Sequence, residues 1–138
     1  MSLFNIFDVA GSAMSAESIR LNTTSSNLAN SNSVSSSEGE TYKARHPIFA
    51  AELNKYTSQQ GASVPVWVAG IVESQKPLRA EYNPDHPMAN VEGYIFKPNV
   101  NVMEEMANMI SASRSYQTNV EVAEASKQML MRTLQLGQ

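Results

Sequence analysis

The sequence predicts a mainly α subunit: long N- and C-terminal helices pairing as a coiled coil, with a small antiparallel β or irregular insertion between them. Three observations predict it. All six prolines lie between Pro47 and Pro98, and proline breaks helix interiors by removing a donor and clashing with the preceding turn. Both proline-free flanks carry apolar residues at alternating spacings of four and three, the signature of one face of a helix. The proline-bearing middle concentrates β-branched and aromatic residues. The expected partition is residues 1–34, an N-terminal helix; 35–100, an extended middle; and 101–138, a C-terminal helix that completes a discontinuous helical domain with the first.

The N-terminal segment reads as helix from Ser2 to Ala29. Leu3, Phe7, Ala10, Met14, Glu17, Leu21, Thr24 and Leu28 form one stripe. A second stripe of Ile6, Val9, Ala13 and Ala16 lies beside it. A helix apolar over so much of its circumference wants more than one neighbour. Gly11, Ala13 and Ala16 permit close approach, although Gly11 lowers helix propensity by about 1 kcal/mol relative to alanine. The Asn/Ser-rich run from Asn30 to Ser37 ends the helix, because these side chains compete for backbone hydrogen bonds.

The middle reads as short strands. Val64 to Val72 is the strongest candidate, Tyr94-Ile95-Phe96 a second, and Tyr42 to Phe49 a third that continues into Ala50-Ala51-Glu52-Leu53. Turns are expected at Asn83-Pro84-Asp85-His86-Pro87 and at Glu92-Gly93. Two to four such strands hold too few apolar residues for a robust independent domain.

The C-terminal segment carries the longest periodic signal. Val102, Met106, Met109, Ser113, Tyr116, Val120, Ala123, Lys127, Leu130 and Leu134 sustain a heptad-like seam. Asn101 followed by Glu104 resembles a capping box, and Gly137 stands where a C-terminal stop belongs. Residues 102–136 would span roughly 50 Å and the N-terminal helix roughly 40 Å. Each therefore has more apolar circumference than the other covers, which implies further helical partners. Five of the eight methionines fall between Met103 and Met131, and a methionine-rich face suits an adaptable contact surface. Asn108, Ser111, Arg114, Gln117, Asn119 and Gln128 form a polar face that is hydrogen-bonding more than charged.

Composition excludes several classes. Formal net charge is −3 with scattered basic residues, so nothing favours nucleic acid or a membrane surface. Cysteine is absent, which removes disulfides and thiolate metal sites. No apolar run approaches a membrane span, and no cleavable signal is visible, the first basic residue being Arg20. His46 and His86 lack ligand-like spacing. Glu104 and Glu105 fall in a first helical turn, where carboxylates complement the helix dipole. No catalytic residue, metal site or cofactor is expected.

Ser25-Ser26-Asn27-Leu28-Ala29-Asn30 resembles the motif near the N-terminus of bacterial flagellar axial proteins, with serines replacing its alanine and first asparagine. Ser33 stands where that motif usually has threonine. Ser111 to Val122, including Ser113, Arg114, Ser115, Tyr116, Gln117, Asn119 and Val120, is similar to the proximal rod members of the family. So are Leu3 to Asp8, Arg20-Leu21-Asn22, Asn83 to Ala89, Pro98-Asn99-Val100 and Leu134 to Gln138. The resemblance implies a subunit of the flagellar basal-body rod, spanning the periplasm and transmitting torque for motility. It implies export by the flagellar type III apparatus without a cleaved signal. It also implies paired terminal helices, and contacts with itself, other rod proteins and the adaptor joining rod to membrane ring. The assembly interface expected on the two seams is Leu3, Phe7, Met14, Leu21 and Leu28 with Met106, Met109, Tyr116, Val120, Leu130 and Leu134.

Two other readings stand beside this one. A different type III-exported axial or filament subunit would usually lack this middle segment or carry a different one. A small enzyme or binding module using His46, Asp85 and His86 would be a stable monomer whose activity is lost on histidine replacement.

Overall fold

A computed structural model describes residues 3–51 and 64–137. Helix α1 spans Leu3–Ala29 and helix α2 spans Val102–Leu136. Four strands lie between them: β1 (Arg45–Ala51), β2 (Val66–Glu73), β3 (Arg79–Tyr82) and β4 (Tyr94–Lys97). The strands form two separate antiparallel pairs, β1 with β2 and β3 with β4. Thus the expected mainly helical subunit with a small β insertion is the architecture found. Of the expected third strand, Glu52 and Leu53 lie outside the described residues.

The helix ends have local causes. Asn101 caps α2: its side chain accepts from the Met103 N–H at 3.2 Å, satisfying one of the free donors of the first turn. Glu104 reaches Lys76 at 3.6 Å. At the other end Gly137 has φ −92° and its N–H donates to the Leu134 carbonyl. It stops the helix without the left-handed conformation a glycine cap commonly uses. Helix α1 closes through the polar run that follows it, with Asn30, Ser31 and Ser33 donating back to the carbonyls of Ser26, Leu28 and Asn30.

The β3–β4 connection is built by its turn residues. Asn90 accepts through Oδ1 from the N–H groups of Glu92 and Tyr94, and His86 Nδ1 accepts from the Met88 N–H at 3.0 Å. Gly93 has φ +82°, and a Cβ there would lie 2.8 Å from the Tyr82 ring, so glycine is required twice over. Tyr82 and Tyr94 meet edge to face at 5.2 Å.

Helix α1 occupies the middle of the subunit, packing on α2, β1 and β2. Among the described elements, α2 packs on α1 alone. The two helices run in opposite directions. Arg20 of α1 donates to Asn108 of α2 at 3.3 Å, while Tyr42, bonded to Asn27 further along α1, feels the charge of Glu105, an earlier residue of α2. At 1.5 Å per residue α2 outruns α1 by about 12 Å, and residues 131–137 are exposed throughout.

Candidate assembly surface

The seam between the helices is made mostly of small and polar side chains. The residues of α2 that are buried are Glu105, Ala112 and Ser126. With half-buried Asn119 they form a column spaced by heptads, flanked by Met109, Ala123 and Leu130, also half-buried. The expected seam shares that second column but paired it with Met106, Ser113, Val120, Lys127 and Leu134. The observed column is turned by one residue and includes the small residues Ala112 and Ser126, which allow closer helix packing than methionine or leucine. On α1 the buried residues are Ala10, Ala16, Thr23, Thr24 and Asn27.

That choice of seam turns large apolar side chains outward at the start of α2, where Met103 is 75 % exposed, Met106 47 % and Ile110 54 %. Past the end of α1, Leu134 is 61 % and Leu136 87 % exposed. Tyr116, Met129 and Met131 are exposed as well. Of the expected interface residues, Met106, Tyr116 and Leu134 therefore stand free of the subunit's own core. Phe7, Met14, Leu21, Leu28, Met109, Val120 and Leu130 are half-buried. The side chain of Leu3 lies outside the described residues. In the motif run, Arg114 and Gln117 are exposed, and Ser113 and Ser115 are half-covered. Of the expected polar face, Asn108 and Asn119 sit at the covered edge, where Asn108 accepts from Arg20 and Asn119 donates to the Ser115 carbonyl. The β1–β2 ribbon also exposes Ile48, Phe49, Trp67 and Ile71. Patches of this kind mark contact surfaces.

What fixes this surface to the β insertion is a pair of asparagines. Asn27, fully buried, accepts through Oδ1 from the Tyr42 hydroxyl at 2.8 Å and the Arg45 N–H at 2.9 Å. Its amide donates to the Arg45 carbonyl at 2.8 Å. Asn99, just before α2, accepts from the Ala44 N–H at 2.8 Å and donates to the carbonyls of Ser74 and Lys76. Neighbouring residues 44 and 45 are thus held by one asparagine from each end of the chain. Ser12 adds a third tie by accepting from the Val66 N–H at 3.1 Å. The motif residue Asn27 was legible from the sequence. The clamp itself was not, because its partners lie 18 and 15 residues away.

Electrostatics around the clamp are tight. Burial pushes the Tyr42 phenol above its ordinary range; Arg45 opposes this, and Glu105 and Glu73 add to it. The Arg45 guanidinium lies over the Tyr42 ring at 5.6 Å and reaches Glu73 at 3.2 Å. Glu105 is 2 % exposed and its Oε2 has no hydrogen-bond partner.

The histidines are placed apart in the fold. His46 lies on β1 opposite Val72, and His86 supports its own turn. Among the described residues no group of three or more histidine, cysteine or acidic side chains could hold a metal. No helix described is long and apolar enough to cross a membrane.

Comparison with known proteins joins these features. Residues 7–35 match the family model described as flagella basal body rod protein. Residues 91–136 match the one described as flagellar basal body rod FlgEFG protein C-terminal. The flagellar basal-body rod protein FlgC of Salmonella typhimurium is 46 % identical over 138 residues, with all of both chains covered. Its counterpart in Escherichia coli O157:H7 is 47 % identical over the same span. That of Buchnera aphidicola from Acyrthosiphon pisum is 42 % identical over 140 residues, again covering both chains whole. With both helices matched by rod families and the whole chain aligned to these relatives, the chain belongs to the FlgC family of flagellar basal-body rod proteins, structural subunits of the rod and not enzymes.

Proposed function

We propose that this chain assembles helically through its terminal helices as a proximal rod subunit and transmits torque as part of the drive shaft. The observation that carries the reading is the outward apolar face of α2, which no described element of the subunit covers. The discontinuous helical domain is residues 1–34 with 101–138, and residues 35–100 form the outer part of the subunit. Its partners are further copies, other rod proteins and the adaptor between rod and membrane ring. It reaches the rod through the flagellar type III apparatus without losing a signal peptide. The family membership and the small-residue seam support this arrangement, since a helix pair that keeps its large apolar residues outside is suited to packing in an array.

The test is Leu134→Asp in a strain lacking the wild-type gene. Leu134 lies beyond the part of α2 that α1 covers, so the subunit should fold and leave the cytoplasm. An isolated charge in an apolar interface is costly, so basal bodies should lack the protein and cells should not swim. Motile cells carrying the variant in their rods would overturn the proposal.

A further inference from the structure

The chain has no cysteine, so its only sulfurs are thioethers, and those of the described residues fall into two groups. Met14 and Met109 are half-covered in the helical pair. Met88, Met103, Met106, Met129 and Met131 are exposed. Four of those five lie on α2, and Met103 and Met106 sit one turn apart, beside Ile110. Exposure of the sulfur governs how fast an oxidant reaches it.

We infer that Met103, with Met106 beside it, is an oxidation site of the unassembled subunit, and that forming the sulfoxide there blocks assembly. The inference rests on the reading of α2 as an interface. The oxidant is hydrogen peroxide. A thioether lone pair attacks one peroxide oxygen, the S–O bond forms as the O–O bond breaks, and sulfur is oxidised by two electrons. The departing hydroxide takes the proton of the transferred oxygen and leaves as water. The product is a polar, chiral side chain in place of a flexible apolar one. At residues 103 and 106 it converts the first two turns of the outward face from apolar to hydrogen-bonding, which opposes burial against a neighbour. Subunits already in the rod have this face covered and are protected, so the vulnerable interval lies between synthesis and incorporation.

The experiment is peptide mapping after brief treatment with hydrogen peroxide, on the purified full chain and on isolated basal bodies. In the free chain Met103 should oxidise several-fold faster than Met14 and Met109; equal rates would overturn the proposed site. In basal bodies Met103 and Met106 should be protected relative to Met88; unchanged reactivity there would overturn the protection. Detecting the chain in the basal bodies tests the rod reading separately. For the consequence, Met103→Gln with Met106→Gln imitates the polarity of the sulfoxide, and the Met→Leu pair keeps the positions apolar. Circular dichroism should show both pairs folded. Loss of motility with glutamine and its retention with leucine is the expected result, and full motility with folded glutamine variants would overturn the consequence.

Discussion

The two terminal helices carry similar periodic patterns and have opposite outer faces. The exposed stripe of α1 is polar or small: Asp8, Gly11, Ser15, Ser18, Asn22, Ser25 and Ser26, with Phe4 the exception near its start. The exposed face of α2 carries Met103, Met106, Ile110, Met131 and Leu134. Helix α1 spends its large side chains on neighbours within the subunit, because α2 and the β1–β2 ribbon both pack on it. Among the described elements helix α2 has one neighbour, α1, and its most buried positions are alanine, serine and glutamate. The difference separates two jobs that an amphipathic pattern alone does not distinguish. One helix organises the subunit, and on the proposed reading the other presents the subunit to its neighbours. Changes on α1 and in the seam should therefore act on folding, and changes on the outer face of α2 should act on assembly.

The largest effect on folding is expected at Asn27. Replacing it with alanine leaves the Tyr42 hydroxyl and both backbone groups of Arg45 without their partner. At a fully buried site this should cost about 3 kcal/mol, read from urea unfolding followed by circular dichroism. A loss below about 1 kcal/mol would mean that water replaces the amide, and that the clamp contributes little to fixing the insertion.

Two alanines on α2 sharpen the comparison at constant chemistry. Ala112 is fully buried in the seam, and Ala107 is exposed on the same helix. Ala112→Leu should overpack the helix contact and destabilise by about 2 kcal/mol. Ala107→Leu should change stability by less than about 0.5 kcal/mol. Equal effects would mean that the helices do not approach closely at Ala112.

Glu105 predicts a gain. Its buried Oε2 has no partner, and a charge taken out of water without compensation is destabilising. Glu105→Gln keeps the volume and removes the charge, so unfolding should require about 1 kcal/mol more. A decrease instead would show that the carboxylate holds a bound water or cation in solution.

Much of this arrangement was legible in the sequence. Proline confinement and the 3.6-residue pattern located α2 at residues 102–136, and Ala29 as the end of α1, because both signals are local. Three strands were legible from β-branched and aromatic runs; β3, with Arg79 and Glu81 among its four residues, has no such run and is defined only by pairing with β4. The α2 seam was read one residue off for a related reason. Periodicity weights large apolar side chains, whereas the most buried positions of α2 include the small residues Ala112 and Ser126. Asn99 was visible as part of Pro98-Asn99-Val100, but its acceptor role at Ala44 spans 55 residues and leaves no trace in local pattern.

The smallest expected effect on stability is also the sharpest test of the division between the helices. Ile110 is more than half exposed and lies one turn from Met106 on the uncovered side of α2. In the free subunit Ile110→Asp exchanges an apolar surface side chain for a solvated one, so stability should change by no more than about 0.5 kcal/mol. In a rod, the same carboxylate would be buried among apolar side chains of a neighbour without a counter-charge, which is strongly unfavourable. The variant should thus unfold like wild type in urea and be absent from purified basal bodies. If it unfolded markedly earlier, Ile110 would belong to the subunit's own core. If it entered basal bodies at the wild-type level, the outer face of α2 would not be the surface this subunit offers to the rod, and the contrast with α1 would concern solubility alone.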